Sequence, residues 1–107
     1  MGGTAYSYVG PVLICVGSQR HLAFSIPIGN LDLKASIEKV TKMVERKQYG
    51  VDINVRPDLV DADTKQSCPA AVHLYVRVPD GVDDPLEHPA AAMGHSAVHS
   101  AFTELGL

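Results

Sequence analysis

Apolar and polar residues alternate along this chain with two different periods, and the order of those periods predicts the fold. From Ala5 to Val16 nearly every position is apolar. Tyr6, Tyr8, Val12, Ile14 and Val16 would face one way and Val9, Leu13 and Cys15 the other. A strand that is apolar on both faces is expected to be central in a sheet or covered on both sides. Gly17-Ser18-Gln19-Arg20 reads as a turn. His21 to Ile28 reads as the returning strand, with Leu22, Phe24, Ile26 and Ile28 on one face and His21, Ala23, Ser25 and Pro27 on the other. Proline has no N–H to give to a ladder, so Pro27 places this second strand at a sheet edge.

The period then lengthens. Gly29-Asn30 breaks the strand, and Asn30 or Asp32 is positioned to cap a helix running to about Gln48. Leu33, Ile37, Val40 and Val44 recur at intervals of four, three and four, which makes one apolar stripe. Gly50 is the expected stop. Val51 to Arg56 alternates strictly and predicts a third strand with one wet face. Pro57 to Ala70 is a polar loop. Ala71 to Val78 alternates again, with Val72, Leu74, Val76 and Val78 inward and His73, Tyr75 and Arg77 outward. After an acidic turn, Pro89 can open a second helix at its first position. That helix would run to about Leu105 and stop at Gly106. Its stripe is Ala91, Val98, Phe102 and Leu105, with His95 at a stripe position and therefore expected to be partly buried.

The order ββαββα predicts an α+β two-layer sandwich: a four-stranded, mainly antiparallel sheet with two helices. At 107 residues the whole chain, 1–107, is expected to be a single domain. If both helices lie on one face, Val9, Leu13 and Cys15 are left on the open face, and a homodimer is the expected cover.

Composition narrows the functional classes. With 46% hydrophobic and 20% charged residues the chain has the make-up of a globular protein, and its formal net charge of −3 speaks against nucleic acid as a main partner. The charge is uneven. Residues 1–50 carry six Lys/Arg and three Asp/Glu, whereas residues 51–107 carry three and nine. The basic excess lies on the first helix, where Lys39, Lys42 and Arg46 share a side. Three cations without interleaved aromatics give little hold on a phosphate backbone. No apolar run is long enough for a membrane helix. Tyr8 to Val16 is preceded by no Lys or Arg and contains Gly10 and Pro11, unlike a signal-peptide core. The two cysteines, Cys15 and Cys68, have no metal-ligand spacing and are read as thiols of a cytoplasmic protein.

Two groups of residues could carry chemistry. His95 and His99 have the four-residue spacing that lets two imidazoles share a Zn²⁺ ion, with His88 and the carboxylates Asp83, Asp84 and Glu87 close in sequence. The H-x-x-x-H encloses no glutamate, so a metalloprotease base is missing. Two imidazoles alone are too few for a structural site, so no metal and no cofactor is expected. The second group is the polar face of the last two strands. If they pair, His73, Tyr75 and Arg77 lie beside Asp52, Asn54 and Arg56, with neighbours about 5 Å apart. That set offers an acid/base, a hydroxyl and two guanidiniums able to hold a carboxylate or phosphate. Tyr and Arg also anchor protein interfaces. No Gly-rich phosphate loop and no nucleophile elbow is present. The expectation is a small binding protein acting through a surface without catalysis, of the kind seen in inhibitors, immunity proteins and phage accessory proteins. The alternative is a small-molecule binder or enzyme using the face around His73, Tyr75 and Arg77.

Overall fold

The structure is a computed structural model that describes residues 9–57 and 71–107. Expectations for the start of the first strand, including Tyr6 and Tyr8, and for the polar loop with Cys68 lie outside those residues. The elements are β1 (Val9–Val16), β2 (Gln19–Pro27), α1 (Leu33–Lys47), β3 (Ile53–Arg56), β4 (Ala71–Arg77) and α2 (Pro89–Leu105), with a 3₁₀ turn at Pro85–Glu87. The four strands form one antiparallel sheet in the order β1-β2-β4-β3, and the fold is α+β in the expected order of elements.

Local chemistry explains most boundaries. Gly17 and Ser18 join β1 to β2, and Gly17 takes the positive φ of 64° that a glycine-first two-residue hairpin turn requires. Asp32 is the N-cap of α1, its carboxylate accepting from the Ala35 N–H at 2.8 Å. The helix stops earlier than Gly50. Gln48 itself takes the left-handed cap conformation, φ 51°, and its N–H donates to the Val44 carbonyl at 3.2 Å. The acidic turn is more ordered than its composition implies: Asp84 caps the 3₁₀ turn by accepting from the Leu86 N–H at 3.2 Å. Pro89 opens α2 and Gly106 closes it.

Two strand placements differ from expectation. β1 is the sheet edge and β2 an inner strand. Pro27 is the last residue of β2 and lies past Ser25, the final residue with a described β1 partner, so its missing N–H interrupts nothing in mid-strand. Leu13 pairs with Leu22 and therefore lies on the helix side of the sheet, not on the open face. α2 lies over β2 and β4 and α1 over β3 and β4, leaving β1 beyond both helices. Leu13 (48% exposed) and Cys15 are consequently in water. A bulge between Val9 and Val12, where a cis Gly10–Pro11 bond occurs, confines regular pairing to Val12–Val16.

The main core lies between sheet and helices. Leu22, Phe24 and Ile26 of β2 meet Val72, Leu74 and Val76 of β4, and all six are fully buried. α1 contributes Val40 and Met43, with Leu33, Ile37 and Val44 at the margin. α2 buries the predicted stripe together with a row of small residues, Ala90, Gly94, Ala97 and Ala101. This row lets the helix backbone come down onto the sheet. A Cβ at Gly94 would overlap the Phe24 ring. His95, half-buried, sets its ring edge-on to the same phenylalanine, 5.2 Å between centroids at 76°. On the helix surface Arg46 pairs with Glu104 at 3.4 Å, so one of the three basic stripe residues ties α1 to α2.

Gly94→Ala should destabilise the protein by about 1–3 kcal/mol through overpacking against Phe24, although alanine is the better helix former by about 1 kcal/mol. Leu74→Ala should cost about 2–5 kcal/mol, and Lys42→Ala, at an exposed site, under about 0.5 kcal/mol. Chemical denaturation of the three variants checks the ranking. A Gly94→Ala protein more stable than wild type would mean that α2 stands further from the sheet.

Candidate functional site

The six residues read from the alternation of β3 and β4 do come together. Asn54 pairs with Tyr75 and Arg56 with His73. The Arg77 N–H donates to the Asp52 carbonyl at 3.0 Å, and the Arg77 guanidinium stands 3.9 Å from the Asp52 carboxylate. β2 extends each row: His21 pairs with Arg77, Ala23 with Tyr75 and Ser25 with His73. Ile14 of β1 completes the first of these rows through His21. One face of the sheet therefore carries imidazoles, a phenol, guanidiniums and a hydroxyl within a few strand spacings.

Solvent access is not what the alternation implied. His73 is 3% exposed and Tyr75 1%, and β4 is buried on both faces. Alternation reports the pleat and not its exposure, and here both sides of the pleat are dry. Tyr75 packs with Ile14 and Ala23, with Val12 and Val16 at the margin. The Arg56 guanidinium stands 5.5 Å from the Tyr75 ring centroid, and the His21 ring lies tilted against it at 6.1 Å. His21 Nδ1 is bonded to the Gln19 carbonyl at 3.3 Å.

Ser25 was not singled out by its pattern, yet it makes a short side-chain contact on this face. Its hydroxyl and His73 Nδ1 share a buried hydrogen bond of 2.7 Å. A serine and histidine at this distance have the spacing of a nucleophile and its base. However, Ser25 is only 7% exposed, so an acyl substrate has no approach to its oxygen in this conformation. What the pair does here is satisfy two polar groups that the sheet has taken out of water. The sequence signal for it was register alone: Ser25 and His73 meet only once β2 and β4 are known to be neighbours.

Arg77 and Asp52, at the end of the face, reach open space. With Glu45, Gln48, Tyr49, Val51, Pro79 and Asp80 they line an open cleft of about 670 Å³ between the end of α1 and the end of β4. The Tyr49 hydroxyl donates to Met43 Sδ at 3.3 Å, which anchors one wall. Thus Asp52 and Arg77, two of the six residues, border this cleft.

The histidines in and before α2 have different surroundings. His88 caps the helix, its Nδ1 accepting from the Ala90 N–H at 3.0 Å. His95 packs on Phe24, and His99 is exposed. Among the described residues no three His, Cys, Asp or Glu side chains approach closely enough to hold a metal ion. No helix among them is long and apolar enough to cross a membrane. Comparison with protein-family models, curated proteins and solved structures finds no match for this chain.

Ser25→Ala takes away the hydroxyl bonded to His73 and should cost about 0.5–1.5 kcal/mol of stability, the net worth of a lost buried hydrogen bond. Asp32→Ala should cost about 0.5–2 kcal/mol through the lost helix cap. Urea unfolding measures both. A neutral Ser25→Ala would show that the Ser25–His73 bond contributes nothing to the fold.

Proposed function

We propose that this protein works by binding another polypeptide through the exposed edge at β1, without catalysis, in the reducing cytoplasm where Cys15 stays a thiol. The observation that carries the reading is the composition of that edge. Val9–Val16 contains no charged residue, and Leu13 and Cys15 stand exposed on it. Natural edge strands are usually protected by lysine, proline or a bulge. Among the described residues β1 has such protection only at its beginning, at Gly10 and Pro11, and none over Val12–Val16. An extended partner segment can add to an edge of this kind through main-chain hydrogen bonds, with alternate side chains supplying specificity. Burial of His73 and Tyr75 supports the same reading, since groups that pack against one another are occupied in holding the sheet.

A second reading has its own observation. The cleft lined by Arg77 and Asp52 falls in the size range of small-molecule sites, so a ligand there, and not on the buried face around His73, is the remaining form of the small-molecule alternative.

Leu13→Glu places a charge on an exposed side chain and should leave the melting temperature close to that of wild type. It should abolish capture of the protein's specific partner, whether that partner is a second copy or a different chain. Quantitative affinity purification with wild type, Leu13→Glu and an Asp52→Ala/Arg77→Ala control reads this out. Loss of the partner in the control and not in Leu13→Glu would move the binding site from β1 to the cleft.

A further inference from the structure

We infer that the polypeptide added at β1 is a second copy of this chain, paired antiparallel about a two-fold axis through Ile14. The inference rests on the reading that β1 is the contact edge and specifies both occupant and register. Three observations lead to it.

The first is charge. A sheet edge that pairs with its own copy places each side chain opposite another of the same strand, so a charge on the axis would meet itself and a charge elsewhere would need its opposite at the symmetric position. β1 carries none, while the chain as a whole has a net charge of −3. An uncharged edge meets no repulsion from its own copy and offers nothing to attract a charged partner.

The second is register. The bulge between Val9 and Val12 leaves Val12–Val16 as the regular segment, bounded on its other side by the turn at Gly17. An antiparallel pair centred on the middle of this segment uses all of it. Ile14 then lies opposite Ile14 of the second copy, Leu13 opposite Cys15, and Val12 opposite Val16. Any other centre leaves part of the segment without a regular partner. All the resulting pairs are apolar or thiol.

The third is the side on which the exposed residues lie. Leu13 and Cys15 are on the helix side of the sheet, beyond the reach of α1 and α2. In the two-fold arrangement each Leu13 packs on the other copy's Cys15, covering both exposed side chains at once. Ile14 and Val12 continue the Ile14–Ala23–Tyr75 cluster across the join on the opposite face. Two four-stranded sheets become one sheet of eight, and each copy loses an open edge.

This register makes a specific chemical forecast. Directly opposed residues in an antiparallel pair have Cα atoms about 4.5–5.5 Å apart, within the range of a disulfide. A cysteine at position 13 would face Cys15 of the other copy. The two native Cys15 residues would instead be offset by two positions along the strands, about 8 Å apart, which is too far for a disulfide. The experiment compares Cys68→Ser with Leu13→Cys/Cys68→Ser under mild oxidation, alongside sedimentation of the unmodified chain at tens of micromolar. The inference expects a dimer in sedimentation, a covalent dimer from Leu13→Cys/Cys68→Ser, and none from Cys68→Ser.

The alternatives separate cleanly. A covalent dimer from Cys68→Ser alone would overturn the register and place the axis at Cys15. A dimer in sedimentation with no cross-link in either protein would overturn β1 as its surface. A monomer in sedimentation overturns the second copy as occupant. If Leu13→Glu still abolished partner capture in that last case, the edge would remain the contact surface, but for a different chain.

Discussion

The ladder between β2 and β4 is the constraint on which the rest of the structure depends. Seven register pairs, from His21 with Arg77 to Pro27 with Ala71, join strands that are far apart in sequence. Each strand alternates, so fixing this register sorts every side chain at once. Leu22, Phe24 and Ile26 go with Val76, Leu74 and Val72 to the helix side. His21, Ala23 and Ser25 go with Arg77, Tyr75 and His73 to the other. The pairing also sends β1 and β3 to the two edges, because β2 and β4 each have only one side left.

On the helix side the consequence is close approach. Phe24 projects from the middle of β2, and α2 meets it with Gly94 and the neighbouring alanines, so a helix of mostly small side chains becomes a tightly seated one. On the other side the consequence is a polar layer that must satisfy itself. Ser25 with His73, and Tyr75 between Arg56 and His21, turn residues that look reactive in sequence into packing partners. His73 and Tyr75 are buried, whereas Leu13 on β1 and the cleft at the end of β4 are open to solvent.

Much of this was legible in the sequence because it is local. Period two and period 3.6 located the strands and helices, Asp32, Pro89 and Gly106 marked helix ends, and the alternation of β3 and β4 brought all six polar residues into adjacent rows. What was not legible depends on contacts between distant segments. The two-sided apolar pattern of β1 suggested a central strand, but strand order follows from β4 entering beside β2, which no local signal announces. Pro27 suggested an edge, but it lies past Ser25, the final residue with a described β1 partner, so its missing N–H interrupts no pairing in mid-strand. The end of α1 near Gln48 was legible, but that Gln48 and not Gly50 takes the left-handed cap was hidden, because a non-glycine residue in that region has no compositional mark. Burial of His73 and Tyr75 was hidden because alternation is the same for a wet face and a dry one.

If β1 is the surface through which the protein binds and a second copy occupies it, pairing there must protect β1 main-chain groups that are open in a single copy. Amide hydrogen exchange measured across a range of protein concentrations tests this most directly. Amides of β2 and β4 should be the slowest at every concentration. Alternate amides of Val12–Val16, those facing away from β2, should slow as concentration rises while the rest of the sheet does not change. Exchange of β1 independent of concentration, with those amides as fast at high concentration as at low, would contradict it.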